Sequence, residues 1–166
     1  MRDAVLLGAR LILGGYMGIH ASQKLLGKFH GPGLEGAGAL FERSGLAPGK
    51  HMAAAAAATE IAGGLLTVTG IADPAGPLAV AGTMAVAAAS NRRGGLMAIR
   101  GGIELPLSYA TLALTLAATG PGKFRLGRPL PGRLAFLGAA AGGALAGALI
   151  ARMITAPEPE PEQTDA

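Results

Sequence analysis

AVLLGARLILGGYMGIHASQKLL, running from Ala4 to Leu26, is the stretch on which the fold turns. A helix rising 1.5 Å per residue needs about 20 residues to cross the hydrocarbon core of a bilayer, and this stretch is long enough. Yet Arg10, Tyr16, His20, Gln23 and Lys24 interrupt it. An ionised group near the bilayer centre costs roughly 2.5 to 3.5 kcal/mol, so such side chains turn into a bundle and find partners. Tyr16, His20 and Gln23 are four and three residues apart and share one helical face, with Lys24 beside it. The stretch therefore predicts one helix of a membrane bundle with a polar interior. Met1-Arg2 before an apolar run has the form of a secretory leader, but Arg10 interrupts the run and no small-x-small site follows Leu13, so the segment reads as a retained anchor.

Four further segments have comparable length and character: His51 to Gly70, Pro74 to Ser90, Gly102 to Gly120 and Leu134 to Ile154. Gly31-Pro32-Gly33, Ala47-Pro48-Gly49, Asp73-Pro74, Gly120-Pro121-Gly122 and Pro129-Leu130-Pro131 separate them, because proline lacks a donor and fixes φ. Charged residues are 14% of the chain, against about 25% in an average soluble protein, and mean hydropathy is +0.45. Mostly short connections imply antiparallel neighbours. The expected organisation is a four-helix transmembrane bundle over residues 1–128 and an extra transmembrane helix within 129–155. An acidic tail over 156–166 carries Glu158, Glu160 and Glu162 between prolines and is expected to be disordered. In the one long connection, Leu34, Ala37, Leu40, Phe41 and Leu46 fall on one face of a short helix over about 33–46, suited to lie flat in the interface; packing on the bundle and offering a docking surface are two compatible roles for it.

Glu60 and Glu104 supply the opposite charge for the first segment. Antiparallel packing is expected to put His20, Gln23 and Lys24 in one layer with Glu104, and Glu60 level with Tyr16 or Met17, a turn or two from Arg10. Arg10, Tyr16, His20, Gln23, Lys24, Glu60 and Glu104 are thus the candidate ligand-binding residues; no catalytic residue is assigned. Three roles fit them: paired charges that fix helix packing, a site for a polar head group such as a quinone ring, or conduction of protons or a small solute. Lysine and arginine fall on both sides of the bundle, and the compact basic loop holding Lys123, Arg125, Arg128 and Arg133 points to a cytoplasmic N terminus.

Five ordered elements carry a family resemblance. They are His20-Ala-Ser-Gln-Lys24 with Gly27-Lys-Phe-His-Gly31-Pro-Gly-Leu-Glu-Gly36, Thr59-Glu60-Ile-Ala-Gly63-Gly64-Leu-Leu, Gly101-Gly-Ile-Glu104-Leu-Pro106, and Gly120-Pro-Gly-Lys-Phe. In this order and spacing, from about Arg2 to Gly127, the chain resembles the DoxX family of small bacterial and archaeal membrane proteins. The resemblance implies four transmembrane helices, with Arg10, Gln23, Lys24, Glu60 and Glu104 in the family's polar pattern. It also implies placement in a bacterial plasma membrane. Some relatives are subunits of a thiosulfate to quinone oxidoreductase, and others are proposed to hold a thiol- or superoxide-handling enzyme at the membrane. Members often carry a histidine and aromatic residues after the third helix, where this chain has Asn91-Arg92-Arg93-Gly94-Gly95-Leu96-Met97. The segment from Leu134 to Ile154 is a second departure. Its Gly138-xxx-Gly142 and Gly143-xxx-Gly147 spacings predict close packing on the bundle or on a partner helix.

Other chemistry is excluded. Without cysteine the chain cannot itself run a thiol–disulfide cycle or hold an iron–sulfur cluster. His20, His30 and His51 lack metal-ligand spacing, and no phosphate-binding loop is present, so no metal site is expected. The pI near 10.0 comes from charges flanking apolar segments, which favours anionic lipid head groups over nucleic acid. The expectation is an all-α membrane subunit of a redox complex that anchors a soluble or membrane redox partner and takes a quinone at the polar site. The alternatives are a small permease or proton-conducting bundle, and a purely structural membrane adaptor.

Overall fold

The computed structural model describes residues 1–156, and every regular element in it is a helix. In chain order these are α1 (Arg2–Leu26), α2 (Gly33–Arg43), α3 (Gly49–Thr69), α4 (Ala75–Asn91), α5 (Glu104–Thr119) and α6 (Gly132–Thr155). Two short 3-10 turns, Arg92–Gly94 and Ala98–Arg100, link α4 to α5. The tail from residue 157 lies outside the described residues. Pro48, Pro74 and Pro131 stand immediately before α3, α4 and α6, where a missing N–H leaves no ladder bond unmade. At the other end of α1, Gly27 takes φ 65°, a left-handed cap that glycine adopts without a Cβ clash.

Three helices, α1, α3 and α6, are long and apolar enough to cross a bilayer. The other two expected spans are shorter. Helices α4 and α5 have 17 and 16 residues, about 26 and 24 Å at the helical rise. Each is packed between other helices: α4 touches α3, α5 and α6, and α5 closes back onto α1. The central core is Leu6, Leu13, Met17, Val80, Met84 and Leu116.

Lipid supplies no hydrophobic drive between helices, so close backbone approach must hold them. Glycines in α1, α3 and α4 provide it. A Cβ on Gly14 would sit 2.3 Å from Val68 Cγ2 and 2.9 Å from the Gly64 carbonyl oxygen, and one on Gly76 would sit 2.6 Å from the Thr67 nitrogen. On α3, Gly64 faces Met17 of α1 and Gly63 faces Val80 of α4, so this adjacent pair joins two helices to a third.

Four of the α6 glycines behave otherwise. A Cβ on Gly138, Gly142, Gly143 or Gly147 would meet nothing within 4 Å. The close packing expected of them is not made among the described residues. Helix α6 lies on α4 through a stripe of partly buried residues, Ala135, Ala139, Ala146, Leu149 and Ile150, ending at buried Met153. Arg92 Nη2 ties its end by donating to the Met153 carbonyl at 2.9 Å.

Arg10 closes the end of the bundle where α1 begins. The residue is 2% exposed. Nε donates to Thr67 O at 2.7 Å, Nη1 to Pro121 O at 2.7 Å and to Phe124 O at 2.6 Å, and Nη2 to Val68 O. One planar fork thus occupies carbonyls at the end of α3, which have no intrahelical partner, together with two in the loop after α5. That loop is further pinned by Leu126 N–H to Thr69 O and Ala72 N–H to Arg128 O, at 2.9 and 3.1 Å. Nearby, burial pushes the Asp73 carboxyl above the usual carboxylate range, and Arg10 and Arg125 oppose the shift.

Candidate functional site

The opposite end of the bundle is hollow. A cavity of about 300 Å³ lies among the end of α1, the middle of α3, the start of α5 and the end of α4. Its roof is α2, which contributes Ala37, Leu40 and Phe41. The position of α2 follows from local contacts. The chain folds back over α1 after Gly27, and at Gly31 a Cβ would sit 2.5 Å from Gln23 Cα. Gly38 and Gly49 then bring α2 and α3 together, since a Cβ on Gly49 would lie 2.0 Å from Gly38 O. Glu42 Oε1 accepts the Gly49 N–H at 3.0 Å, which satisfies a first-turn donor and puts negative charge at the α3 N terminus. Helix α2 is thus packed on α1 and α3.

Four of the candidate residues meet in this cavity: His20, Gln23, Lys24 and Glu60. Lys24 Nζ donates to both Glu60 carboxylate oxygens, at 2.7 and 3.0 Å. Glu60 is 0% exposed, whereas the Lys24 side chain is 22% exposed. This pairing corrects the expected layers. Gly64 of α3 packs against Gly14 and Met17 of α1, so Glu60, one turn earlier, stands level with about Ala21. Lysine's flexible four-carbon stem covers the remaining separation.

Gln23 Oε1 lies 3.1 Å from His20 Nδ1, and Gln23 Nε2 donates to Phe29 O at 3.3 Å. An amide oxygen only accepts, so Nδ1 carries the proton in this pair, and Nε2 of a neutral His20 ring is left as an acceptor. Tyr109 lies against His20, edge to face, with ring centroids 5.5 Å apart. The Tyr16 ring centroid lies 5.2 Å from that of Tyr109, and Tyr16 does not line the cavity.

Arg10 and Glu104 lie elsewhere. Arg10 is the carbonyl latch at the far end. Glu104 is exposed, and its Oε2 accepts the Ala98 N–H at 2.9 Å, closing the turn before α5. Its expected layer is roughly right, but its side chain serves the loop. The sequence reading missed Tyr109, Ser90 and Asn91, which also line the cavity. Tyr109 had a signal: it is one of only two tyrosines and lies five residues after Glu104 in the same apolar segment. Among the described residues, no buried side-chain nitrogen or oxygen lacks a hydrogen-bond partner.

The family model described as DoxX matches residues 5–92, more than half of the chain. The matched region takes in α1 to α4, including Lys24 and Glu60, and stops before α5 and Tyr109. No curated protein and no solved structure matches the chain.

Proposed function

Because this chain belongs to the DoxX family of multi-pass helical membrane proteins, we propose that it is the membrane subunit of a redox complex and receives the head group of a quinone in the α1–α5 cavity. The observation that carries this reading is the Lys24–Glu60 ion pair, which forms a wall of a cavity of about 300 Å³ instead of being packed shut. A structural ion pair would be expected between side chains in close apolar packing. Here one face of it is left open beside hydrogen-bonding groups.

The groups present suit a quinone in both of its forms. A quinone offers carbonyl oxygens, for which the Lys24 ammonium and the Tyr109 hydroxyl are donors. A quinol offers hydroxyl groups, for which Nε2 of neutral His20 is an acceptor. Bound there, a quinone would supply the two-electron chemistry. The chain's part is to orient the ring and exchange protons at His20, while a partner enzyme exchanges electrons. The parallel proposal of a redox partner rests on apolar side chains exposed around the cavity's end of the bundle, among them Phe29, Leu40, Met97 and Ile99. The open glycines of α6 offer a second surface, suited to a partner helix or a further copy. The proposed setting is a bacterial plasma membrane.

Conduction is less well supported, because Leu13, Met17 and Val80, each 0% exposed, fill the bundle between this cavity and the Arg10 latch. The quinone reading predicts saturable binding of a short-chain quinone to protein in nanodiscs. Glu60→Gln and His20→Ala should each weaken it by about tenfold, the effect of losing one hydrogen bond to a charged or buried group. Unchanged binding in both variants would contradict it. The partner proposal predicts that the tagged protein, extracted in mild detergent, co-purifies with a redox enzyme in near-stoichiometric amount by quantitative mass spectrometry. A solitary bundle would contradict that.

A further inference from the structure

A second cavity, of about 400 Å³, lies between α4 and α5. Helix α4 contributes Ala85 and Ala88 to it, and α5 contributes Leu107, Ala110, Thr111 and Leu114. Thr111 is the one hydroxyl among these, and it donates to Leu107 O at 2.9 Å within its own helix, so the surface it presents is effectively apolar. From Pro106 to Leu114 the groove descends two helical turns, about 12 Å, toward the middle of the bundle. Met84 and Pro106 line both this groove and the head-group cavity. Both are buried, so they form the partition between the two spaces.

We propose that the α4–α5 groove binds the single aliphatic tail of the same amphiphile whose polar head occupies the cavity, with Met84 as the movable part of the partition. The inference rests on the quinone-class reading of the cavity. Three features assign the groove to a tail. It has none of the ionisable and amide side chains that line part of the cavity, it runs away from the cavity along the helix axes, and it shares two wall residues with it. It has one helix on each side, with Ala85, Ala88 and Ala110 in its lining, a cleft suited to one chain rather than a two-chain lipid. Methionine is unbranched and rotates at three bonds, so a change of Met84 rotamer would join the spaces without moving a helix. A ligand dissolved in the bilayer would then reach the cavity sideways between α4 and α5, without passing the α2 roof.

The test compares two probes on protein in nanodiscs: a tail-less dimethoxy-methyl-benzoquinone and its decyl-tailed analogue. Ala88→Leu and Thr111→Leu each fill the groove, and Thr111 is exposed, so its replacement leaves the core untouched. Each variant is compared with wild type for the same probe, so partitioning of the tail into lipid cancels. The expected result is a loss of about threefold to tenfold in affinity for the decyl quinone, the scale that a few packing contacts supply in lipid, with the tail-less quinone bound as in wild type. Unchanged decyl-quinone affinity in both variants would overturn the tail assignment while leaving the head-group reading intact. Absence of saturable binding of either probe to wild type would overturn both.

Discussion

Arg10 and Lys24 show how one helix carries two cations with different work. Arg10 donates to four carbonyls, and its role is to join the end of α3 to the loop after α5. Removing a buried charge-assisted donor leaves its acceptors unsatisfied, which costs about 3 kcal/mol. Arg10→Met should therefore lower the detergent melting temperature sharply. Arg10→Lys should not restore it, because an ammonium cannot span carbonyls arranged for a planar fork. A lysine variant that melts with wild type would show that charge alone matters there. Much of the polar site was legible at this scale: four- and three-residue spacing put His20 and Gln23 on one face, and both line the cavity. The partner of Lys24 was less legible, because a flexible stem reaches across a helical layer and rise per residue does not record that. The direction taken by the Glu104 side chain was not legible for a related reason. At the first turn of a helix a carboxylate is equally able to turn back to a loop N–H, and Ala98 provides one.

At the scale of helices, length together with proline and glycine positions carried the reading well, because each boundary has a local cause. The expected Pro74 to Ser90 segment and the observed Ala75–Asn91 helix differ by one residue at each end. Which glycines pack helices was not legible, since a small-xxx-small spacing states that approach is sterically open and not that a neighbour is there. The spacing drew attention to α6, yet the close approaches fall at Gly14, Gly63, Gly64 and Gly76. Gly76→Ala should therefore destabilise the bundle in detergent by about 1 to 3 kcal/mol, the usual cost of overpacking. Gly142→Leu with Gly143→Leu should leave the melting temperature of the monomer unchanged and act only on assembly with another helix, as read by chromatography in detergent. Equal melting of Gly76→Ala and wild type would contradict the packing described.

For the whole molecule, the two ends of the bundle differ in kind. One is closed by Arg10 and a pinned loop; the other holds a cavity beneath α2, with fully buried apolar side chains between them. The proposed entry, sideways between α4 and α5, suits a ligand delivered by the membrane better than one that crosses it. The cavity itself could not be read from sequence, because it depends on where α2 lands, and that is set by backbone contacts at Gly31, Gly38 and Gly49. The central claim is that the head of a membrane-soluble ligand sits beside the Lys24–Glu60 pair. Photolabelling with an azidoquinone, followed by peptide mapping, tests it most directly. The account predicts label on the segments holding His20 to Lys24 and Leu105 to Tyr109, abolished by excess unlabelled quinone. Label spread over outward-facing residues of α6, and insensitive to competition, would contradict it.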